Sequence, residues 1–418
     1  MAMLSLKQHY RYRVLRSCFF FVATLLILGA CANFDSLPAK KASARASKAS
    51  ETANLRADAA GDGVAADAAT GATEPRRSSK PSTDPYRAGV QAAAAGDYER
   101  AAKLYITAAE AGNSDAQVAM GDLYANGQGV TKNYNEAIAW YKRAANTGSA
   151  TAQAKLAAMH FNGIGVAKDT AAAIKLYDSA AEQGSVEAQV ALGKIYWNGQ
   201  GVKANPTEAV KWFTQAAEQG EVDAAYYLAK AYETGKGVKE SPEDAQLWYQ
   251  KAADLGYPPA QFSVGLMYYM GSNGMKHDYE EAIKWYKLAA QRGLSDAQNS
   301  LGVIYWEGHG VPVNLPEAAR WFTVASEQGN FGAQANLATL YRYGLGVKQD
   351  PTLAYKWYTI SANSAQAQGN IGMKGAAEIS RNKMAEKMTP EQIQHAREQA
   401  FAWIEKHDAN APGVNSGN

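Results

Sequence analysis

Apolar and polar positions repeat with a period of about 36 residues along most of this 418-residue chain. The turn Gly-x-Gly-Val begins at Gly127, Gly163, Gly199, Gly235, Gly308 and Gly344, and an altered copy begins at Gly271. An aromatic pair such as Trp212-Phe213 recurs in step, and a single glycine such as Gly220 closes each unit. This self-similarity is typical of a repeat protein whose units stack on their neighbours.

Each unit is predicted to contain two helices. In one unit the first helix runs from about residue 188 to residue 197, and it ends where glycines permit a positive φ. The second helix begins at a capping position that always holds Asn, Asp or Ser: Asn133, Asp169, Asn205, Ser241, Asp278, Asn314 and Asp350. Three residues after four of these caps stand Glu136, Glu208, Glu281 and Glu317, which predicts capping boxes.

These turns, caps and aromatic pairs resemble the Sel1-like repeat family, which is related to the tetratricopeptide repeat. The resemblance covers seven units over residues 113–365 and implies an all-α fold, a right-handed α/α solenoid of helix-turn-helix repeats. Residues 85–112 look like a tetratricopeptide-type hairpin before the repeats. Residues 366–408 are predicted to form a helical cap at the other end, and residues 409–418 a disordered tail.

The first 30 residues have the pattern of a bacterial secretory signal peptide. A basic stretch precedes an apolar run at residues 18–30, which is shorter than the roughly 20 residues that a membrane-spanning helix needs. The run ends Leu28-Gly29-Ala30-Cys31, which resembles a lipobox and implies cleavage before Cys31 and lipidation of that cysteine. The alternative is an ordinary signal peptide followed by an incidental cysteine.

Residues 31–84 would then be the lipidated cysteine and a disordered tether, because this segment has too few large apolar residues to form a core. Ala32 follows the cysteine where an aspartate would favour retention in the inner membrane of enterobacteria. We therefore expect an anchor in the outer membrane, facing the periplasm, with the inner membrane as the alternative.

The charge and the cysteine content of the chain argue against several kinds of binding site. The net charge is +2, and residues 1–30 contribute four basic residues and no acid, so the rest of the chain has 2 − 4 = −2. A near-neutral chain argues against nucleic-acid binding. Both cysteines, Cys18 and Cys31, precede the repeats, which excludes a disulfide scaffold or a cysteine zinc site there.

We find no catalytic constellation, metal-binding motif or cofactor motif, so we do not expect an enzyme. His160 replaces a tyrosine of a repeated column, and we interpret it as a packing substitute. His309 lies at the middle of a turn, a position that we expect to vary freely.

The candidates for partner binding are residues that vary inside the constant repeat. Two such columns lie seven residues apart on the first helix and share one face of it, which the resemblance places in a concave groove. The candidate groove residues are Phe161, Trp197, Tyr226, Phe262, Tyr269, Trp306 and Arg342. Tryptophan and tyrosine are frequent interface anchors. The alternative is that these rings pack between repeats.

These features predict a membrane-anchored periplasmic scaffold that binds envelope proteins. The resemblance to exported Sel1-type proteins implies a role in exopolysaccharide export, envelope assembly or signalling. The alternative is a module that binds peptidoglycan or another polysaccharide, or that regulates a cell-wall enzyme. If the groove hypothesis holds, replacing Tyr269 and Trp306 by alanine should abolish partner capture and leave the melting temperature unchanged.

Overall fold

The computed structural model describes residues 84–273 and 275–408, and these residues form helices joined by short turns. The predicted signal peptide, Cys31, the tether and the tail lie outside the described residues. The helices are α1 (Pro85–Ala94), α2 (Tyr98–Glu110), α3 (Ser114–Asn126), α4 (Tyr134–Asn146), α5 (Ala150–Asn162), α6 (Thr170–Glu182), α7 (Val186–Asn198), α8 (Pro206–Glu218), α9 (Val222–Thr234), α10 (Pro242–Asp254), α11 (Pro258–Met270), α12 (Tyr279–Gln291), α13 (Ser295–Glu307), α14 (Leu315–Glu327), α15 (Phe331–Tyr343), α16 (Pro351–Ala367), α17 (Ile371–Ala385) and α18 (Pro390–Asp408). The described part of the chain contains no strand, which confirms the all-α prediction. None of its helices is both long and apolar enough to cross a membrane.

Helices α2 to α15 are each 13 residues long. Most of them begin at a capping side chain, and first helices such as α7 end at a glycine in the left-handed conformation. At the start of α6 the side chain of Asp169 accepts a hydrogen bond from the Ala172 N–H at 2.9 Å. All seven predicted N-caps of the second helices accept such a bond, which confirms them. Each cap stabilises its helix by about 1 kcal/mol.

The predicted capping boxes do not form, and the geometry of the hairpin explains why. The N–H of the cap Asn205 donates to the carbonyl of Tyr196 at 2.8 Å, so the cap N–H that a capping box requires is already bonded. The Glu208 carboxylate instead pairs with Lys211 at 3.2 Å. The cap N–H bonds back to the first helix in all seven hairpins, at Asn133, Asp169, Asn205, Ser241, Asp278, Asn314 and Asp350.

The two helices of a hairpin approach closely where an aromatic ring of the second lies on a small residue of the first. A Cβ atom built on Gly193 would lie 2.4 Å from the ring of Phe213, and one built on Gly121 would lie 2.4 Å from the ring of Tyr141. Phe213 is fully buried at this contact. Neighbouring hairpins also touch through the turns, because Gly237, at φ 82°, faces the Pro206 carbonyl, and a Cβ there would lie 2.3 Å from the oxygen.

The chain divides between Ala260 and Gln261, inside α11, into two compact units. In the first unit each helix from α1 to α10 packs on the next, and the first helices α7 and α9 also touch each other. In the second unit α12 to α17 pack in sequence, and α13 touches α15. Helix α16 packs against both α17 and α18, and residues 332–340 of α15 are all buried. Helices α17 and α18 thus lie where a helical cap is predicted.

Candidate interaction surfaces

The seven predicted groove residues all lie on first helices. Those in the first unit are Phe161 on α5, Trp197 on α7 and Tyr226 on α9, and those in the second are Phe262 and Tyr269 on α11, Trp306 on α13 and Arg342 on α15. Phe161, Tyr226, Phe262 and Arg342 are half-buried. Trp197, Tyr269 and Trp306 are only 9%, 8% and 7% exposed, so in this structure they contribute to packing and present little surface. The binding role of the seven stays a prediction.

Trp197 shows how a buried member of this set is held. Its ring makes edge contacts with Phe213 and Tyr227, with ring centroids 6.1 Å apart in both pairs. The Lys236 ammonium lies 3.9 Å from the indole centroid and donates to the Trp197 carbonyl at 3.2 Å. Burial lowers the pKa of Lys236 from its ordinary value, and Lys230 nearby adds to the effect. These contacts join α7, α8, α9 and the turn that follows α9.

Tyr226 belongs to a half-buried aromatic and charged cluster on α9. Its ring packs edge-on against Tyr257, with centroids 5.3 Å apart. The Tyr257 hydroxyl bonds to Asp223, which also pairs with Lys194 at 2.6 Å. Burial alone would raise the pKa of Asp223, but the bonds from Lys194 and Tyr257 outweigh it, so the pKa lies below its ordinary value. The contact with Tyr257 therefore holds the Tyr226 ring in one orientation, which suits an interface anchor.

A half-buried carboxylate beside this cluster was not among the predicted site residues. The Tyr249 hydroxyl of α10 donates to the Glu233 carboxylate of α9 at 2.8 Å. Burial raises the pKa of Glu233, and the hydrogen bond from Tyr249 and the charge of Lys230 offset only part of that rise. Glu233 stands in one of the two variable columns, and its place there is the sequence feature that could have identified it.

The altered turn that follows α11 lies near a second cluster, which contains His309. The middle position of the turn differs from repeat to repeat, and in this copy His309 Nδ1 lies 2.8 Å from the Tyr269 hydroxyl and 3.4 Å from the Glu307 carboxylate. Its ring stacks on Tyr279 with centroids 4.8 Å apart and planes 6° apart. Burial raises the pKa of Glu307, and the charge of His309 partly offsets this. The histidine joins one hairpin to the next, a contact that the sequence pattern does not reveal.

Across the described residues, no group of three His, Cys, Asp or Glu side chains is placed to hold a metal ion. His160, the predicted packing substitute, is half-buried on α5, and its main-chain carbonyl accepts the cap N–H of Asp169 at 2.9 Å, as the tyrosines of that column do in other repeats.

The tryptophans of the second helices form a regular set of contacts with cations. For five of the six tryptophans on these helices, a lysine or arginine of the same helix lies 3.9 to 5.0 Å from the indole centroid, in the pairs Arg143–Trp140, Lys211–Trp212, Lys251–Trp248, Arg320–Trp321 and Lys356–Trp357. Cation–π contacts of this kind hold the long side chains against the rings. The covered indole faces are less available for stacking on sugar rings.

Comparison with known proteins agrees with this repeat geometry. The model of the Sel1 repeat family matches eight segments, at residues 87–113, 114–149, 150–185, 186–221, 222–257, 258–294, 295–330 and 332–365. The first of these falls on the hairpin that resembles a tetratricopeptide unit. Comparison with curated proteins gives no match.

Two similar solved structures are repeat proteins of the same kind. One is c5321, a protective antigen present in uropathogenic Escherichia coli strains and displaying an SLR fold; it is 34% identical over 80% of this chain and 73% of its own, with a TM-score of 0.69. The other is a Sel1 repeat protein from Oxalobacter formigenes, 33% identical over 58% of this chain and 97% of its own, with a TM-score of 0.53.

Uniform hairpins that stack through short turns define a helical-repeat solenoid, the class of fold that generally serves as a scaffold for protein–protein interaction. The chain belongs to the Sel1 repeat family.

Proposed function

We propose that this protein is a lipid-anchored envelope scaffold that holds partner proteins on the face formed by its first helices. The observation that supports this most directly is the half-buried aromatic set on those helices, Phe161, Tyr226 and Phe262, within otherwise uniform hairpins. Aromatic side chains that keep part of their surface free are frequent interface anchors. The partners that we propose are envelope proteins of exopolysaccharide export, envelope assembly or signalling.

Two features support the proposed anchor and location. The lipobox-like sequence that ends at Cys31 follows a basic and then an apolar stretch. The similar E. coli structure is that of a protective antigen, which fits a protein of the cell envelope. Metabolic labelling with a palmitate analogue tests the anchor. We expect label on the wild-type chain in the outer-membrane fraction and no label on the Cys31→Ser variant; equal labelling of both would contradict the proposal.

Cross-linking in living bacteria tests the scaffold. Cells would express a tagged wild-type chain, a Tyr226→Ala variant or a Phe262→Ala variant, and the cross-linked proteins would be identified after membrane solubilisation. Leu288→Ala is the matched control, since Leu288 is an exposed apolar residue on a second helix. A small set of envelope proteins that is retained by the control and lost in at least one groove variant would support the proposal. An identical set from all four chains would contradict the binding face.

Glycan binding is the second candidate function. It is less favoured because cations cover indole faces on the second helices, which leaves those faces less available for stacking on sugar rings. Sedimentation of the purified chain with cell-wall sacculi at low salt distinguishes the two. Sedimentation that Phe262→Ala abolishes, together with recovery of muropeptides and no protein partner in cells, would replace the scaffold proposal.

A further inference from the structure

Lysine side chains lie over aromatic rings on the first-helix face of the first unit. Three ammonium groups are 3.9 to 5.6 Å from ring centroids, in the pairs Lys168–Phe161, Lys236–Trp197 and Lys230–Tyr226. All three rings belong to the predicted groove residues. In the second unit, no lysine or arginine of the described residues lies over the groove rings of Phe262 and Tyr269. Positive charge therefore accompanies the groove rings of the first unit in particular.

Lys230 and Lys236 are the two half-buried members of this group. Lys236 donates to the Trp197 carbonyl at 3.2 Å, and burial together with the charge of nearby Lys230 lowers the pKa of Lys236. Neither ammonium forms an ion pair with a described residue. Two neighbouring positive charges thus lack a bonded opposite charge, and an anion that binds beside both of them would relieve their repulsion.

Both acidic side chains of α9 already have other partners. Asp223 pairs with Lys194 at 2.6 Å, and Glu233 accepts from a tyrosine hydroxyl at 2.8 Å. Lys230 acts on Glu233 through its charge without a hydrogen bond between the two. Lys230 stands 36 residues after Lys194, but the residue 36 after Asp223 is Pro259, which explains why Lys230 has no such acid. The acids of α9 therefore do not occupy the donors of the two lysines.

A carboxylate is the group that suits these two lysines. An ammonium has three N–H donors, and one ring face or one carbonyl occupies only part of them. A carboxylate has two oxygens and can accept from two ammonium groups in charge-assisted hydrogen bonds. The half-buried ring of Tyr226, beside Lys230, offers apolar contact to the methylene groups that carry such a carboxylate.

We propose that Lys230 and Lys236 bind a side-chain carboxylate from an acidic segment of a partner protein. The inference rests on the proposed scaffold function and gives the chemistry of the segment that the scaffold holds, with a glutamate or aspartate at its centre. Lys168, over the Phe161 ring, adds a third positive charge and favours a second acidic residue in the segment.

Fluorescence anisotropy with dye-labelled peptides measures this binding in the purified full chain. The probes are the peptide Ala-Glu-Ala-Glu-Ala-amide, the same peptide with glutamine for glutamate, and that glutamine peptide with a free carboxyl terminus. We expect the glutamate peptide to bind about tenfold more tightly than either glutamine peptide, as one charge-assisted hydrogen bond allows. Raising the salt from about 0.05 M to about 0.5 M should weaken its binding several-fold, because the Debye length shortens.

Each other result of the peptide series contradicts the proposal. Equal binding of the glutamate peptide and the amidated glutamine peptide would show that the lysines do not select a carboxylate. Equal binding of the glutamate peptide and the glutamine peptide with a free terminus would assign the lysines to a terminal carboxylate instead. Galacturonate oligomers that displace the glutamate peptide at a lower concentration than the unlabelled peptide does would assign them to an anionic glycan.

Substitutions that the array itself contains test the two lysines with little risk to the fold. Lys230→Leu introduces the residue of the next repeat, Leu266, and Lys236→Leu introduces the residue of the last turn, Leu345. Lys251→Leu is the matched control, since its ammonium lies 3.9 Å from an indole centroid on a second helix and the next repeat has a leucine there. With folding checked by circular dichroism, both groove variants should lose about tenfold in affinity for the glutamate peptide and the control should lose almost none. Equal affinities in all four chains, or equal losses in all three variants, would overturn the proposal.

Cellular cross-linking separates this inference from the scaffold proposal. Lys230→Leu and Lys236→Leu would join the tagged chains that include Tyr226→Ala and Phe262→Ala. Loss of at least one envelope protein from both lysine variants, with its retention by Lys251→Leu, would support the acidic segment. Loss of partners from an aromatic variant together with full retention by both lysine variants would overturn the acidic segment and leave the scaffold proposal intact.

Discussion

Replacing Trp306 by alanine separates the packing role of this ring from a binding role. Trp306 is 7% exposed and its ring meets the fully buried Phe322 edge-on, with centroids 5.8 Å apart. Because nearly the whole side chain is buried in the core of the second unit, its loss should cost about 3–5 kcal/mol of unfolding free energy, the usual range for a core tryptophan. The groove hypothesis expects Tyr269→Ala with Trp306→Ala to leave the melting temperature unchanged, whereas the burial of both rings predicts that it falls.

Urea unfolding followed by circular dichroism, together with hydrogen exchange of α13 and α14, measures the effect in the full chain. Exchange is needed because a repeat array can unfold in parts, and then a single midpoint does not report the damaged junction. Phe262→Ala, at a half-buried ring, should cost less, and Leu288→Ala, at a side chain 41% exposed, should cost almost nothing. Wild-type exchange rates in Trp306→Ala would refute the packing argument. If exchange in α13 and α14 does become faster, a loss of partner capture by Trp306→Ala reflects a damaged fold and not a lost binding contact.

Three further substitutions test other contacts. Gly193→Ala should lower the free energy of unfolding by about 1–3 kcal/mol, because the added Cβ meets the buried ring of Phe213. Gly375→Ala, in a helix with open space around the position, should raise it by about 0.5–1 kcal/mol. Equal effects of the two changes in urea unfolding would show that the close approach at Gly193 does not matter. Glu233→Gln should become more stable relative to the wild type as the pH rises above the ordinary glutamate pKa of about 4.3. Burial raises the pKa of Glu233, so the stability that the protonated carboxyl contributes to the folded wild type is lost as the carboxyl ionises; a pH-independent difference in melting temperature would contradict this. Tyr269→Phe should cost about 1 kcal/mol and change the His309 ring resonances in NMR, and unchanged resonances would argue against the hydrogen bond.

Local features of this fold were predictable because they depend on a few neighbouring residues. The Asn, Asp and Ser column at the starts of the second helices forms caps as expected, since a cap needs only a side-chain oxygen and an N–H two or three residues later. The glycine turns end the first helices at the predicted positions, with Gly199 at φ 69°. The capping boxes failed for a non-local reason, because the other helix of the hairpin takes the cap N–H that Glu208 would have needed.

The candidate site depended on contacts between hairpins, and these are not encoded by helix periodicity alone. Tyr269 and Phe262 stand on one helix at equivalent-looking variable positions, yet one is 8% exposed and the other half-buried. Tyr269 is covered by Tyr279 and Tyr286 of α12 and by His309 from the turn of the following hairpin. The repeated Ala-Gln pair is visible in the sequence, but the bond that its glutamine makes is not, because it joins two helices: the Gln189 amide donates to the Ala181 carbonyl at 3.2 Å. Only once that bond is known does the sequence show that Ala225, at the equivalent position, cannot make it, so departures from a repeat are informative only after its contacts are understood.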